Sequence, residues 1–145
     1  MPIIRALLFV LFAAPCLNAH ADTSDLGAYT VHYLALNSTF LEPVIAAQYG
    51  IERGSRLGLI NVAVLRDNPN GIGTPVSATL SGGKYNLLQQ STPLTFKEVR
   101  EGEAIYYLAQ FDFSNAETLR FTLEVQPEGQ GEPHEITWTT QLYAD

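Results

Sequence analysis

The residues with chemistry to offer are few and scattered. His32 and His134 stand far apart, and HxH, HExxH and CxxC are all absent, so spacing provides no transition-metal site. A serine hydrolase needs an activated serine with a histidine and a carboxylate converging on it. There is no GxSxG, and Ser77, Ser81, Ser91 and Ser114 lie in ordinary strand or turn contexts. Glu98, Glu101 and Glu103 crowd one hairpin. Two carboxylates held close can divide acid and base work, but at a turn they read as solvating residues. DNPNG (67–71) lacks the alternating acids of a calcium loop, and Gly71 and Gly73 do not lead from a strand into a helix as a phosphate cradle requires. Asn37-Ser38-Thr39 matches the glycosylation sequon and is read as a chance match. No catalytic, cofactor-binding or metal-ligating residue is therefore expected. The enzymatic alternative is hydrolase-type chemistry at His32 with a nearby carboxylate.

What remains is Arg53. It sits close to Arg56 and Arg66 in a chain otherwise short of positive charge, and its guanidinium suits bidentate binding of a carboxylate or phosphate. The competing role is an internal pair with Glu42, Glu52 or a C-terminal acid. With Tyr49, Phe40, Tyr33 and His32 expected nearby, Arg53 forms a candidate binding surface of aromatic-plus-arginine composition.

These residues belong to, or flank, a segment that breaks the surrounding pattern. Ser38 or Thr39 can cap a helix, Pro43 suits its first turn, and Gly50 is placed to end it. Residues 42–49 therefore predict a short helix, with Val44, Ala47 and Ile51 turned inward to plug one open end of a β-fold. Elsewhere the pattern is strand. Residues 29–36 and 56–65 are apolar on both faces, and 56–65 reads as a central strand buried twice. AIYYLAQFDF (104–113), TLRFTLEVQ (118–126) and EITWTTQLY (135–143) alternate with period two. Segments 75–82, 85–90 and 93–102 complete about eight strands, separated at 67–71 and at Gly82-Gly83 by turn-forming residues. The fold class is all-β: an antiparallel immunoglobulin-like β-sandwich with one short helix after the first strand, and a small barrel as runner-up. Residues 22–28 are expected to be a mobile tail and 127–133 a flexible hairpin loop.

Composition sets the compartment. Arg5 followed by ALLFVLFAA (6–14) and Ala19-His20-Ala21 has the layout of a signal peptide over 1–21, cleaved near Ala21, leaving one domain over 22–145 in the periplasm. Cys16 raises lipid anchoring, but Ala13-Ala14-Pro15 fits a lipobox poorly, so anchoring is not expected. Without Cys16 no disulfide is available. Losing Arg5 leaves 8 − 1 = 7 basic residues against 15 acidic ones, a net charge of −8. Nucleic acid is excluded as a partner, because phosphate binding needs clustered Lys and Arg. No transmembrane segment is expected after residue 21.

VHYLALNSTFLEPVIAAQYGIERGSRLGLINVAVL (31–65) resembles the opening of the bacterial domain of unknown function 4426 family. The resemblance rests on His32-Tyr33, Asn37-Ser38, Phe40-Leu41, Pro43, Tyr49-Gly50-Ile51, Arg53 and Asn61. Gly54-Ser55 departs from the pattern, in which a serine directly follows the arginine. The family comprises small exported proteins, mostly gammaproteobacterial, with a signal peptide and one all-β domain. The resemblance thus implies compartment and fold but no activity. The expectation is a non-enzymatic protein-binding module of the cell envelope. The alternative is a small-molecule binder with its site near Arg53 and Tyr49 at the helix-plugged end.

Overall fold

A computed structural model describes residues 22–145. The expected signal peptide, its cleavage near Ala21 and the question of Cys16 lie outside the described residues.

Alternation of apolar and polar side chains drives the chain into strands that pair antiparallel throughout. They are β1 (Asp22–Asp25), β2 (Tyr29–Asn37), β3 (Leu57–Asn68), β4 (Gly71–Pro75) and β5 (Ala78–Tyr85), followed by β6 (Ser91–Leu94), β7 (Lys97–Glu101), β8 (Ala104–Asp112), β9 (Glu117–Pro127) and β10 (His134–Leu142). One sheet has the order β1-β2-β3-β8-β7, with β4 folded back on the far end of β3. The other has the order β10-β9-β5-β6. Their facing sides bury Val31, Ile60, Val62, Leu119, Phe121, Leu123 and Val125 completely. Each such side chain contributes about 1.5–3 kcal/mol by leaving water. The all-β sandwich follows from this patterning, and the strand order adds what patterning does not carry.

The odd segment supplies a third layer. A 3-10 turn (Ser38–Phe40) and helix α1 (Pro43–Tyr49) connect β2 to β3. Ile45, Ala46 and Tyr49 of α1 pack with Leu34, Leu36, Leu59, Ala63, Val99, Tyr106 and Leu108 in a second cluster. Those strand residues alternate with the ones facing the opposite sheet, so α1 covers the outer face of the larger sheet rather than plugging an end. This corrects the expected placement and explains why β2 and β3 are apolar on both sides. It also corrects the helix phase. Val44 is 69% exposed and Ala47 faces solvent, while Ile51 is buried as expected. Glu42, not Ser38 or Thr39, occupies the N-cap, without a side-chain capping bond, and Pro43 takes the first position. Gly50 ends the helix at φ 68°. The Gly50 and Ile51 N–H groups donate to the Ala47 and Ala46 carbonyls, a Schellman ending sealed by the buried Ala46 and Ile51.

Three other expectations change. Residues 22–25 are not a tail: β1 pairs with Thr30–Tyr33 of β2. Gly82-Gly83 does not break a strand. A Cβ on Gly82 would lie 2.4 Å from the Thr122 carbonyl oxygen, so glycine lets β5 run close alongside β9. Tyr85 ends β5, and residues 86–90 form a turn instead of continuing as a strand. The Asn86 side chain accepts the N–H groups of Leu88 and Gln90, holding Leu87 and Leu88 in solvent. The expected 127–133 hairpin loop joins β9 to β10 and is anchored at its start, with Pro127 fully buried and the Glu128 N–H donating to the Ser77 carbonyl.

Candidate binding surface

Each expected surface residue has a definite place. Arg53 is exposed, and its guanidinium donates to the Thr39 carbonyl oxygen at 3.2 Å. Among the described residues it makes no ion pair, so the expected pairing with Glu42, Glu52 or a C-terminal acid is not formed. Phe40, beside Thr39, is 56% exposed. Tyr49, the last residue of α1, is buried, its hydroxyl donating to Glu101 Oε2 at 3.1 Å. Burial, then the Glu101 hydrogen bond and charge, push that hydroxyl up to about 12. Lys97 closes the same corner by donating to the Tyr49 carbonyl oxygen at 2.8 Å, where a cation meets the helix C-terminus. Tyr33 lies on the other side of the sheet, in the central core, with its ring 4.5 Å from that of Trp138. His32 is half-buried on the outer face opposite Ala63, where burial pushes its imidazole below the ordinary value. The structure therefore brings Arg53 and Phe40 together at the surface and keeps Tyr33 and Tyr49 inside.

The rest of this surface comes from a segment that sequence reading did not connect to it. Asn37 Nδ2 donates to the Tyr143 carbonyl at 2.8 Å and to Asp145 Oδ1 at 3.2 Å. Thr39 Oγ1 hydrogen-bonds Asp145 Oδ2, and Ala144 N–H donates to Asn115 Oδ1. Ser38, fully buried, donates to the Gly54 carbonyl and accepts the Gly54 N–H at 3.1 and 3.0 Å. The Asn-Ser-Thr triplet thus works as a knot joining three chain segments. Arg53 and Asp145 flank Thr39 with opposite charges, and Tyr143 stands 58% exposed on the strapped segment. The one available signal was three consecutive hydrogen-bonding side chains at the end of an apolar strand.

Other candidates separate. Glu98 accepts from Tyr107 at 2.9 Å and from Arg100 at 3.3 Å. Those two bonds, Tyr107 first, hold its carboxyl below the usual range. Glu101 serves Tyr49 and Glu103 is exposed, so the three carboxylates form no pair. A cleft of ≈ 260 Å³ opens where β3 begins and β8 ends, lined by Glu52, Leu57, Lys84, Leu94, Gln110 and Asp112 among others. Lys84 donates to Asp112 at 2.7 Å, holding that carboxyl below its ordinary value. Neither Arg53 nor Tyr49 lines this cleft. His32 lies six residues further along the sheet from Leu57, roughly 20 Å at the rise of a strand. Among the described residues no three His, Cys, Asp or Glu side chains gather in a way that would hold a metal ion, and no helix is long and apolar enough to cross a membrane.

These features define a β-sandwich with a helical cover on one sheet and a strapped, partly aromatic surface at the cover's edge. The chain belongs to the family called domain of unknown function 4426 (DUF4426), whose model matches residues 23–145. It is similar to the crystal structure of a DUF4426 family protein from Pseudomonas aeruginosa PAO1. Identity is 34% and the TM-score 0.76, over 86% of this chain and 96% of that one. The fold also resembles FetP of uropathogenic Escherichia coli strain F11, in the form isolated after recombinant expression in the periplasm. That match has 12% identity and a TM-score of 0.60, over 86% of this chain and 94% of that one. A copper-bound variant of FetP matches at 11% identity and 0.58, over 86% and 90%. Among curated proteins none matches the chain.

Proposed function

We propose that this chain is an exported, non-enzymatic binding domain of the cell envelope, and that it docks a partner protein through Phe40, Arg53 and Tyr143. The observation that carries this reading is an arginine whose guanidinium bonds a single carbonyl, set among aromatic side chains more than half exposed. The strap ties the backbone beside Phe40 to the backbone of Tyr143 through Asn37, Thr39 and Asp145, which reduces the chain entropy lost when these aromatic side chains are covered. Export is supported by the layout of residues 1–21.

The test is a crosslinking pull-down from envelope extract with three proteins: the parent, a Phe40→Ala/Arg53→Glu variant, and a Leu87→Ala/Leu88→Ala variant that removes exposed apolar area elsewhere. A partner kept by the leucine variant and lost from the first variant supports the surface. A partner kept by the first variant discards it.

The second reading is a small-molecule binder at the Lys84–Asp112 cleft. The cleft itself favours it, together with copper bound by a protein of similar fold. It shifts the expected site from Arg53 and Tyr49 to the cleft beside Glu52 where β3 begins.

A further inference from the structure

The exposed strand edges are not treated alike. β1 has four residues and carries Asp22 and Asp25. β7 alternates charges through Lys97, Glu98, Arg100 and Glu101. β6 is four residues long and interrupted by Pro93. β4 is short, ends in Pro75 and pairs with a register shift. Each carries one of the usual defences against edge-to-edge pairing.

β10 carries a single acid, Glu135 near its start, and none of the other defences. It is nine residues long, HEITWTTQL, without Pro, Lys or Arg. Its register with β9 runs unbroken from His134↔Val125 to Leu142↔Glu117. Among the described residues its only neighbour in the sheet is β9. Among the described residues, no backbone group of 134–142 bonds to anything beyond that pairing. Among the described residues the outward-facing N–H and C=O groups therefore form an unbroken, unoccupied ladder.

We propose that this edge is a self-association surface, on which β10 of a second copy pairs antiparallel about a two-fold axis through Trp138. The occupant follows from the residues. That axis sets Thr137 against Thr139 of the second copy, Glu135 against Gln141, and Ile136 against Thr140. No like charges face each other, although the chain is acidic overall, and threonine pairs suit cross-strand packing. A two-fold interface must be self-complementary, and this strand is. The pairing also covers Trp138, which is only partly buried although it packs on Phe121 and Tyr33.

Sedimentation equilibrium of the purified protein across a concentration series tests the proposal, read together with the emission of Trp138, the only tryptophan in the chain. The expected result is a doubling of mass with concentration, accompanied by a blue shift. Thr137→Lys/Thr139→Lys and Thr137→Glu/Thr139→Glu should each stay at monomer mass, and an equimolar mixture should recover the doubled mass. A parent that stays monomeric at every concentration overturns the proposal. So does a mixture that fails to associate although both variants melt like the parent. Amide exchange on the parent alone gives a check independent of the variants. Dimerisation must slow exchange in 134–142, and a dimer that leaves those amides unchanged refutes the pairing.

Discussion

The molecule contains two apolar layers built to different standards. Between the sheets, Phe121, Leu119, Leu123 and Val125 are wholly buried, and Phe111, Phe121, Trp138 and Tyr33 form a chain of tilted ring contacts at 4.5–5.2 Å. Under α1 the packing is laced with polar groups: Tyr49 on Glu101, Lys97 on the Tyr49 carbonyl, and Asn61. Asn61 is 1% exposed, and its Oδ1 has no partner among the described residues. A seven-residue helix is not stable alone. It holds because β2, β3 and β8 offer it an apolar face that would otherwise stand in water. The inner layer is thus the scaffold, and the outer layer is a cover whose edge carries the candidate surface.

Substitutions that strike one layer at a time sharpen this contrast. Phe121→Ala empties the centre of the inner layer and should cost about 3–5 kcal/mol in denaturant unfolding. Ile45→Ala, at 3% exposure under the helix, should cost about 2–3 kcal/mol, with the extra opening confined to the cover. Asn61→Leu should raise stability by about 1 kcal/mol, because it removes an acceptor that has lost water without gaining a donor. A fall in the urea midpoint of that variant would show that Asn61 is satisfied in solution.

Alkaline titration follows in size. The Tyr49 hydroxyl is raised from 10.0 to about 12 in the folded protein, so the folded state keeps its proton where the unfolded chain has lost it. Its contribution is complete below pH 10 and fades as pH rises towards 12. Tyr49→Phe should flatten that decline in melting temperature. Arg53→Glu should change stability least, within about 0.5 kcal/mol, since its one bond is an exposed contact with a carbonyl.

The strands were legible where one face alone is buried or both are. β9 and β10 follow their period-two patterns, β8 lies where expected but is buried on both faces because Tyr106 and Leu108 also pack under α1, and β3 lies where a doubly apolar strand must, between the other sheet and α1. The helix was legible in its termination, because Pro43 and Gly50 act locally. Its destination was not, since an end and a face of a sandwich ask for the same apolar residues. Long-range polar ties left no trace either. Asn37 meets Asp145 across 108 positions, and neither residue type announces its partner. Leu87 and Leu88 read as strand because they are apolar, while the Asn86 side chain that bends them into a turn acts through hydrogen bonds that periodicity does not register.

Native-state amide exchange on the Ile45→Ala variant tests the two-layer account most directly. The account predicts faster exchange in 43–51, with β9 amides opening only at the cost of global unfolding. Equal acceleration in both regions would mean one cooperative unit, and would contradict the reading of α1 as a separable cover.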